Sequence, residues 1–372
     1  MAETGHSTAG ATRFADLRPL HALLIMLGVV GLIAIGLMQP PPSAAAPQKA
    51  PVKIVGSDRP ADPAGDDILL YRVIVDKVRA GQPYHAATAR LLRDNSYPLK
   101  PFVTFRLPTL AFILAAIPEW LGPVLLGLLA AAVILAWTVR LGTLRASERV
   151  TMYGSLLLLA GCVTAGSPSL SVFHESWSAL LIALSLALWR ADRWWPSVLI
   201  ALLAVMIREL ALPFLLLMGA SALWRRNWTE ATCWAVAVAL FGGALAIHAQ
   251  LVAAVVLPTD PASPSWAAAG GWPFVVSSVR GATMLGFAPL VVTAFALPVA
   301  LLGWLSRREA HAIIAGLFLT GFATMMMLFG RPNNFYWAMM MVPMLLPGLA
   351  LAPAAIADLR ASLRRDMARA PA

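Results

Sequence analysis

The chain has 372 residues, of which 59% are hydrophobic and 12% charged, with a formal net charge of +10 and a mean hydropathy of +0.75. Soluble domains carry about 25% charged residues, so the composition excludes an ordinary soluble domain and points to the membrane class. The positive charge does not indicate nucleic acid: the basic residues sit between apolar runs, as cytoplasmic loops require, and no nucleic-acid motif or aromatic-studded basic face is present.

In chain order, the first apolar run, LHALLIMLGVVGLIAIGLM (20–38), has the roughly 20 residues needed to span a bilayer. QPPP follows it directly instead of a small-residue cleavage site, so we expect a retained first helix. Further apolar runs fall at about 103–118, 121–139, 150–166, 172–189, 196–224, 231–248, 282–305, 310–329 and 336–357. Between them lie clusters of arginine: Arg13 and Arg18; Arg140, Arg145 and Arg149; Arg190 and Arg193; Arg225 and Arg226; Arg307 and Arg308; and Arg360, Arg364, Arg365 and Arg369. If every cluster is cytoplasmic, the number of spans between successive clusters is even. That condition divides 196–224 into two short helices turning near Arg208–Glu209, and forbids 103–118 from crossing. The expected fold is all-α and polytopic, with about ten transmembrane helices and both termini cytoplasmic. The regions are a cytoplasmic N-terminus (1–19), a first span (20–39), a first outer loop (40–120), the remaining helices of a transmembrane module (121–248), a second large outer loop (249–281), C-terminal spans (282–357) and a cytoplasmic tail (358–372).

The first outer loop begins Pro/Ala-rich (QPPPSAAAPQKAPVK), which predicts irregular chain. From Asp66 the pattern changes. Ile68, Tyr71, Val75 and Val78 recur at helical spacing, with Arg72, Asp76 and Arg79 opposite and Gly81 as a C-cap, which predicts an amphipathic surface helix over 66–81. The stretch 102–118 is expected as a half-inserted helix, ended by Glu119, Trp120 and Gly122–Pro123.

This topology collects polar residues near one surface: Asp66, Asp67, Lys100, Arg106, His174, Glu175, Arg208, Glu209, His248, Arg331, Asn333 and Asn334. Ionisable groups at membrane depth are costly, which makes each a functional candidate. Carboxylates beside cations at a lipid boundary suit a reaction in which a carboxylate deprotonates a hydroxyl while cations hold a departing phosphate. Arginine fits that phosphate because its fork bonds two oxygens at once. Plainer roles remain open for the same residues. Asp66 suits a helix cap, Arg208–Glu209 an internal ion pair, His174–Glu175 mutual satisfaction and His248 a structural end to its span. Cys162 and Cys233 read as small buried residues. No HxH, CxxC or spaced DxD motif occurs in the outer loops, so no cofactor is implied and nothing in the sequence supports a divalent metal.

The first outer loop resembles that of the GT-C membrane glycosyltransferases, which use polyprenyl-phosphate sugars and include protein O-mannosyltransferases and lipid A aminoarabinose transferases. The resemblance rests on Asp67 at the start of the surface helix, Tyr71 four positions on, Gly81 and Tyr84 at its end, and Lys100, Arg106 and Pro108 around the half-helix. It covers about residues 15–250 and implies a catalytic base at Asp67, with Asp66 its neighbour or cap, and donor-phosphate contacts at Lys100 and Arg106. Arg208 with Glu209, and RPNNFYW (331–337), look like related elements. The chain departs from the pattern in having Asp-Asp for the usual Asp-Glu or spaced acidic pair, a single Leu-Pro for a proline pair, and no large soluble domain after the last span. The implied partners are a polyprenyl-phosphate sugar donor, a glycan, glycolipid or protein acceptor, and membrane lipids, with no nucleic acid. Arginine outnumbers lysine 24 to 4, which with the abundance of alanine suggests a GC-rich bacterial genome and hence the inner membrane. A lipid-linked glycan flippase would instead place polar groups along mid-membrane helices in paired halves, and a non-enzymatic envelope assembly protein would need no base at Asp67.

Overall fold

The structure, a computed structural model, describes residues 12–38, 54–55, 59, 66–144, 147–265 and 268–367. The Pro/Ala-rich stretch expected to be irregular lies outside them, as do the two ends of the chain. The described residues form helices α1 (Pro19–Leu37), α2 (Asp66–Arg79), α3 (Tyr84–Asp94), α4 (Thr109–Ala115), α5 (Leu121–Thr143), α6 (Glu148–Ala165), α7 (His174–Leu188), α8 (Trp195–Ile207), α9 (Leu212–Trp224), α10 (Trp228–Ala253), α11 (Gly271–Ala282), α12 (Leu290–Ser306), α13 (Ala310–Phe329), α14 (Val342–Leu345) and α15 (Gly348–Met367). No strand occurs among the described residues; Lys100 and Ala262 make one isolated bridge. Among the described residues four helices, α1, α5, α10 and α13, are long and apolar enough to cross a membrane, and α7, α8, α9 and α12 are shorter apolar helices.

Local chemistry sets the boundaries. Helix α2 ends in a Schellman turn: Gly81 takes φ +83°, its N–H donates to Val78 (2.9 Å), and the Gln82 N–H donates to Lys77 (3.0 Å). The run 196–224 does break at Arg208, whose extended backbone (φ −145°) separates α8 from α9. The half-helix keeps only seven α-helical residues, Thr109–Ala115, between Pro108 and Pro118. Three features depart from expectation. Residues 84–94 form α3, whose buried Tyr84, Ala87, Thr88, Leu91 and Leu92 follow helical spacing. The expected second outer loop holds α11, an amphipathic helix with Trp272, Val275, Val276 and Val279 buried. The run 336–357 is not one continuous helix: it divides among a 3-10 helix (Pro332–Met340), α14 and α15, because Pro343 and Pro347 cannot continue a helical ladder.

The chain separates into two compact units. The first comprises residues 1–40, 133–164 and 268–372, and the second 41–132 and 165–267, so the expected module 121–248 is shared between them. In the first unit, α12 and α15 meet backbone to backbone. A Cβ on Gly303 would overlap the Gly348 carbonyl, and one on Gly348 would overlap that of Ala300. Small residues at such crossings let helices approach without a hydrophobic drive. Trp304 donates its Nε1–H to the Met344 carbonyl (2.8 Å) and stacks edge-on against Trp137. Basic ends of this unit gather together: Arg308 pairs with Asp16, Arg307 pairs with Glu309 and donates to the Leu144 carbonyl, and the Thr12 N–H donates to Asp358 (2.8 Å).

In the second unit α7 is buried along nearly its whole length. Ser178 and Ser185 bind the backbone carbonyls of Ala204 and Ser197, fastening α7 to α8 (3.0 and 2.8 Å). At one end Glu230, fully buried, accepts from Trp189, Arg225, Asn227 and Trp234. The arginine-bearing turns after α7 and α9 therefore meet at one end of the unit.

Gly303→Ala places a methyl group against backbone that has no side chain to move aside. It is expected to destabilise the protein by about 1–3 kcal/mol, seen as a lower melting temperature in detergent, whereas Gly127→Ala, inside α5 with open space around its Cβ position, does not lower it.

Candidate active site

The second unit brings six of the sequence-derived candidates into one connected cluster. Tyr71 comes from the middle of α2, Arg106 from the loop before α4, His174 and Glu175 from the start of α7, and Arg208 and Glu209 from the break between α8 and α9. Arg106 Nε donates to the Tyr71 hydroxyl (3.1 Å), and its guanidinium lies 5.9 Å from the centre of that ring. The same guanidinium reaches to within 3.8 Å of Glu175 Oε1. Arg208 Nε donates to Glu175 Oε1 at 2.6 Å, and Arg208 also bonds Glu209. The His174 ring packs edge-on against Tyr71 with centroids 5.2 Å apart.

Burial grades the cluster. The Glu175 side chain is 0% exposed and that of Arg208 2%, against 12% for Arg106 and 25% for Glu209. Two guanidinium groups face two carboxylates, so the charges balance where water cannot solvate them. The match is incomplete in hydrogen bonds: Glu175 Oε2 and both ring nitrogens of His174 are buried without a partner. His174, Tyr71 and Tyr84 also line a cavity walled by Ile74, Val75, Leu110, Ala111, Leu114 and Val172.

Asp66 and Asp67 open α2, one turn before Tyr71. Asp67 is exposed, and its Oδ1 accepts a hydrogen bond from the Tyr97 hydroxyl (2.7 Å). Burial, followed by the adjacent Asp67 carboxylate, pushes the Tyr97 phenol well above its usual range, so it remains a donor. Lys100 is turned elsewhere: its Nζ donates to the Pro258 carbonyl (2.9 Å), and its backbone pairs with Pro261 and Ser263. That segment is fastened again by Arg93, which grips Asp260 with two bonds of 2.7 Å. Arg331, Asn333 and Asn334 belong to the first unit, where Arg331 Nε donates to Asn334 Oδ1 (3.0 Å). Among the described residues no group of three His, Cys, Asp or Glu side chains is placed to hold a metal ion.

Three side chains around this cluster were not singled out by sequence reasoning for the contacts they make. Tyr97 had no signal beyond being an aromatic near a proline. Tyr84 carries a buried hydroxyl that donates to the Arg106 carbonyl (2.8 Å). His85 Nε2 lies 3.1 Å from His248 Nδ1, and His248 Nε2 lies 3.4 Å from the Phe105 carbonyl. His248 is thus bonded on both sides of its ring, and His85 was readable only as the neighbour of Tyr84.

In comparisons with known proteins, no family model, no curated protein and no solved structure matches this chain.

Glu175→Ala would leave two guanidinium groups facing a buried space with no carboxylate between them. The expected cost is about 3–5 kcal/mol, measured as lost thermal stability or failure to purify as a single species, and much greater than that of Asp67→Ala at its exposed position. A second expectation concerns pH. Burial, and then the neighbouring His248 ring, push His85 down to about 4, whereas an unfolded histidine titrates near 6.5. The unfolded chain binds the proton more readily, so this stability is complete above about pH 6.5 and declines as pH falls toward 4. Melting temperatures across that range should show a shallower slope for His85→Gln. Asp260, held near 2 chiefly by its bonds to Arg93, contributes its own loss only at lower pH.

Proposed function

We propose that the chain is a membrane glycosyltransferase of the bacterial inner membrane, moving a sugar from a polyprenyl-phosphate donor to an acceptor on the periplasmic side. The observation that carries this reading is the cluster of Tyr71, Arg106, His174, Glu175, Arg208 and Glu209, built on the helix whose first turn holds Asp66 and Asp67. Paired arginines, and on the helix that carries Tyr71 a carboxylate that water can reach, in a chain with helices long and apolar enough to cross a membrane, are the parts such a transfer needs.

In this mechanism Asp67 is the general base. Tyr97 occupies Oδ1, and Oδ2 takes the proton of the acceptor hydroxyl. The hydroxyl oxygen forms a bond to the anomeric carbon as the bond from that carbon to the phosphate oxygen breaks, and the configuration inverts. Polyprenyl phosphate leaves with the electron pair, so no strong general acid is required. Arg106 is the cation best placed for that phosphate, since it is the less buried arginine of the cluster and its contact with Glu175 is longer than that of Arg208. Arg208 holds Glu175 and Glu209 in place. Lys100 contributes once released from the Pro258 carbonyl. The ten-span topology, with both termini cytoplasmic, places this cluster outside. It is supported by the gathering of basic ends at one end of each unit.

Asp67→Asn keeps the shape of the side chain and the bond from Tyr97 but removes the base. Purified protein carrying it is expected to transfer sugar from a polyprenyl-phosphate donor at least about 100-fold more slowly. In a deletion strain only the wild-type gene is expected to restore the missing sugar to the envelope glycans. Full transfer by the Asn variant would rule out the mechanism.

A further inference from the structure

The loop that delivers Arg106 to the cluster is gripped through two successive carbonyls. Tyr84, at the start of α3, donates its hydroxyl hydrogen to the Arg106 carbonyl at 2.8 Å, and its side chain is almost completely buried. His248, near the end of α10 and 3% exposed, sets Nε2 3.4 Å from the Phe105 carbonyl. A carbonyl oxygen can only accept, so Nε2 carries hydrogen, and in the neutral ring Nδ1 is then an acceptor. The His85 ring nitrogen 3.1 Å away must therefore be the donor, which fixes the orientation of the His248 ring. Aromatic edges close around the arrangement: Tyr84 against His85 and Phe112, and Phe102 against His248. Two buried donors from two distant parts of the sequence thus hold the two peptide units on either side of the Arg106 Cα, which carries the guanidinium that faces Tyr71 and Glu175.

We propose that Tyr84 and the His85–His248 pair are positioning residues, a clamp on the two peptides flanking Arg106 that aims the Arg106 guanidinium at the phosphate of the lipid donor. The inference rests on the phosphate-binding role given to Arg106 above. It assigns His85 and His248 a part that a merely structural end of a span would not have. With both flanking peptides held, the backbone at Arg106 is fixed, and the bond to Tyr71 and the nearby Glu175 carboxylate then direct its fork, so less orientation is left to be found when a phosphate binds. Misplacement of such a group by about 1 Å can cost as much as 100-fold.

The test measures binding rather than turnover. The affinity of the full-length detergent-solubilised protein for a short-chain polyprenyl monophosphate, and for the matching polyprenol without phosphate, is determined by native mass spectrometry. Arg106→Ala, Tyr84→Phe, His248→Leu and His248→Gln are compared with wild type, each with its melting temperature. Arg106→Ala, Tyr84→Phe and His248→Leu are each expected to weaken monophosphate binding by about 10-fold while leaving polyprenol binding unchanged. His248→Gln, whose amide can still donate to the Phe105 carbonyl, is expected to retain most of the affinity. If Arg106→Ala weakens binding but Tyr84→Phe and His248→Leu bind like wild type, the clamp is overturned and the donor role of Arg106 stands. If Arg106→Ala also binds like wild type, the donor role fails and the clamp fails with it. Tyr84→Phe removes a single oxygen atom and keeps the ring packing, so it decides the matter should His248→Leu not fold.

Discussion

A carboxylate removed from water is tolerated only where cations and donors surround it, and in the second unit two glutamates impose that rule on everything near them. Glu175 draws Arg208 and Arg106 to the start of α7; Glu230 draws Arg225, Asn227 and the indoles of Trp189 and Trp234 to the other end. The unit is therefore fastened by one buried polar knot at each end, with α7 running from the first to the residue that joins the second, Trp189. Between the knots, apolar packing and the Ser178 and Ser185 bonds to α8 carry the contact. The ionic contacts add a penalty for misalignment, since separating one partner leaves an unsolvated charge.

The same economy of polar groups explains the first unit. Where α12 and α15 cross, glycine replaces side chains altogether, and the carbonyls of Gly348 and Ala300 lie where a Cβ would have to go. The crossing is closed by one directional bond, from Trp304 to the Met344 carbonyl. The N-terminal turn then docks on α15 through Thr12, Phe14 and Ser362, burying Phe14 with Ala22, Leu302, Ala355 and Leu359.

These constraints bear on function through rigidity. The Glu175–Arg208 contact is buried and short, which suits a scaffold. Arg106 is held more loosely by its charge and more tightly by its backbone, which suits a group that must keep its place while exchanging partners. Asp67 is exposed on a helix that Arg59, Arg72 and Arg79 tie to its surroundings through Asp76, Glu119, Ser169 and Leu114. The carboxylate is reachable, and the helix carrying it is fixed.

Much of the fold was legible in the sequence because local physics decides it. Hydropathy marked the apolar helices, the 3.6-residue period and Gly81 bounded α2 to within two residues, and the counting of arginine clusters required the break at Arg208. Helix α3 carries a helical period in Tyr84, Thr88, Leu91 and Leu92 that is short and follows directly on α2, and α11 is hidden by the prolines, glycines and small residues before it. The division of 336–357 turned on Pro343 and Pro347, whose effect hydropathy does not register. Membrane character, the amphipathic helix α2 and the inventory of ionisable residues were thus determined by the sequence alone, through the period of its apolar residues and the cost of placing charge in lipid. Which of those residues meet was decided only by tertiary structure. Glu175 finds Arg208 across 33 positions of chain and His85 finds His248 across 163, and no local pattern encodes contacts made by the packing of separate helices.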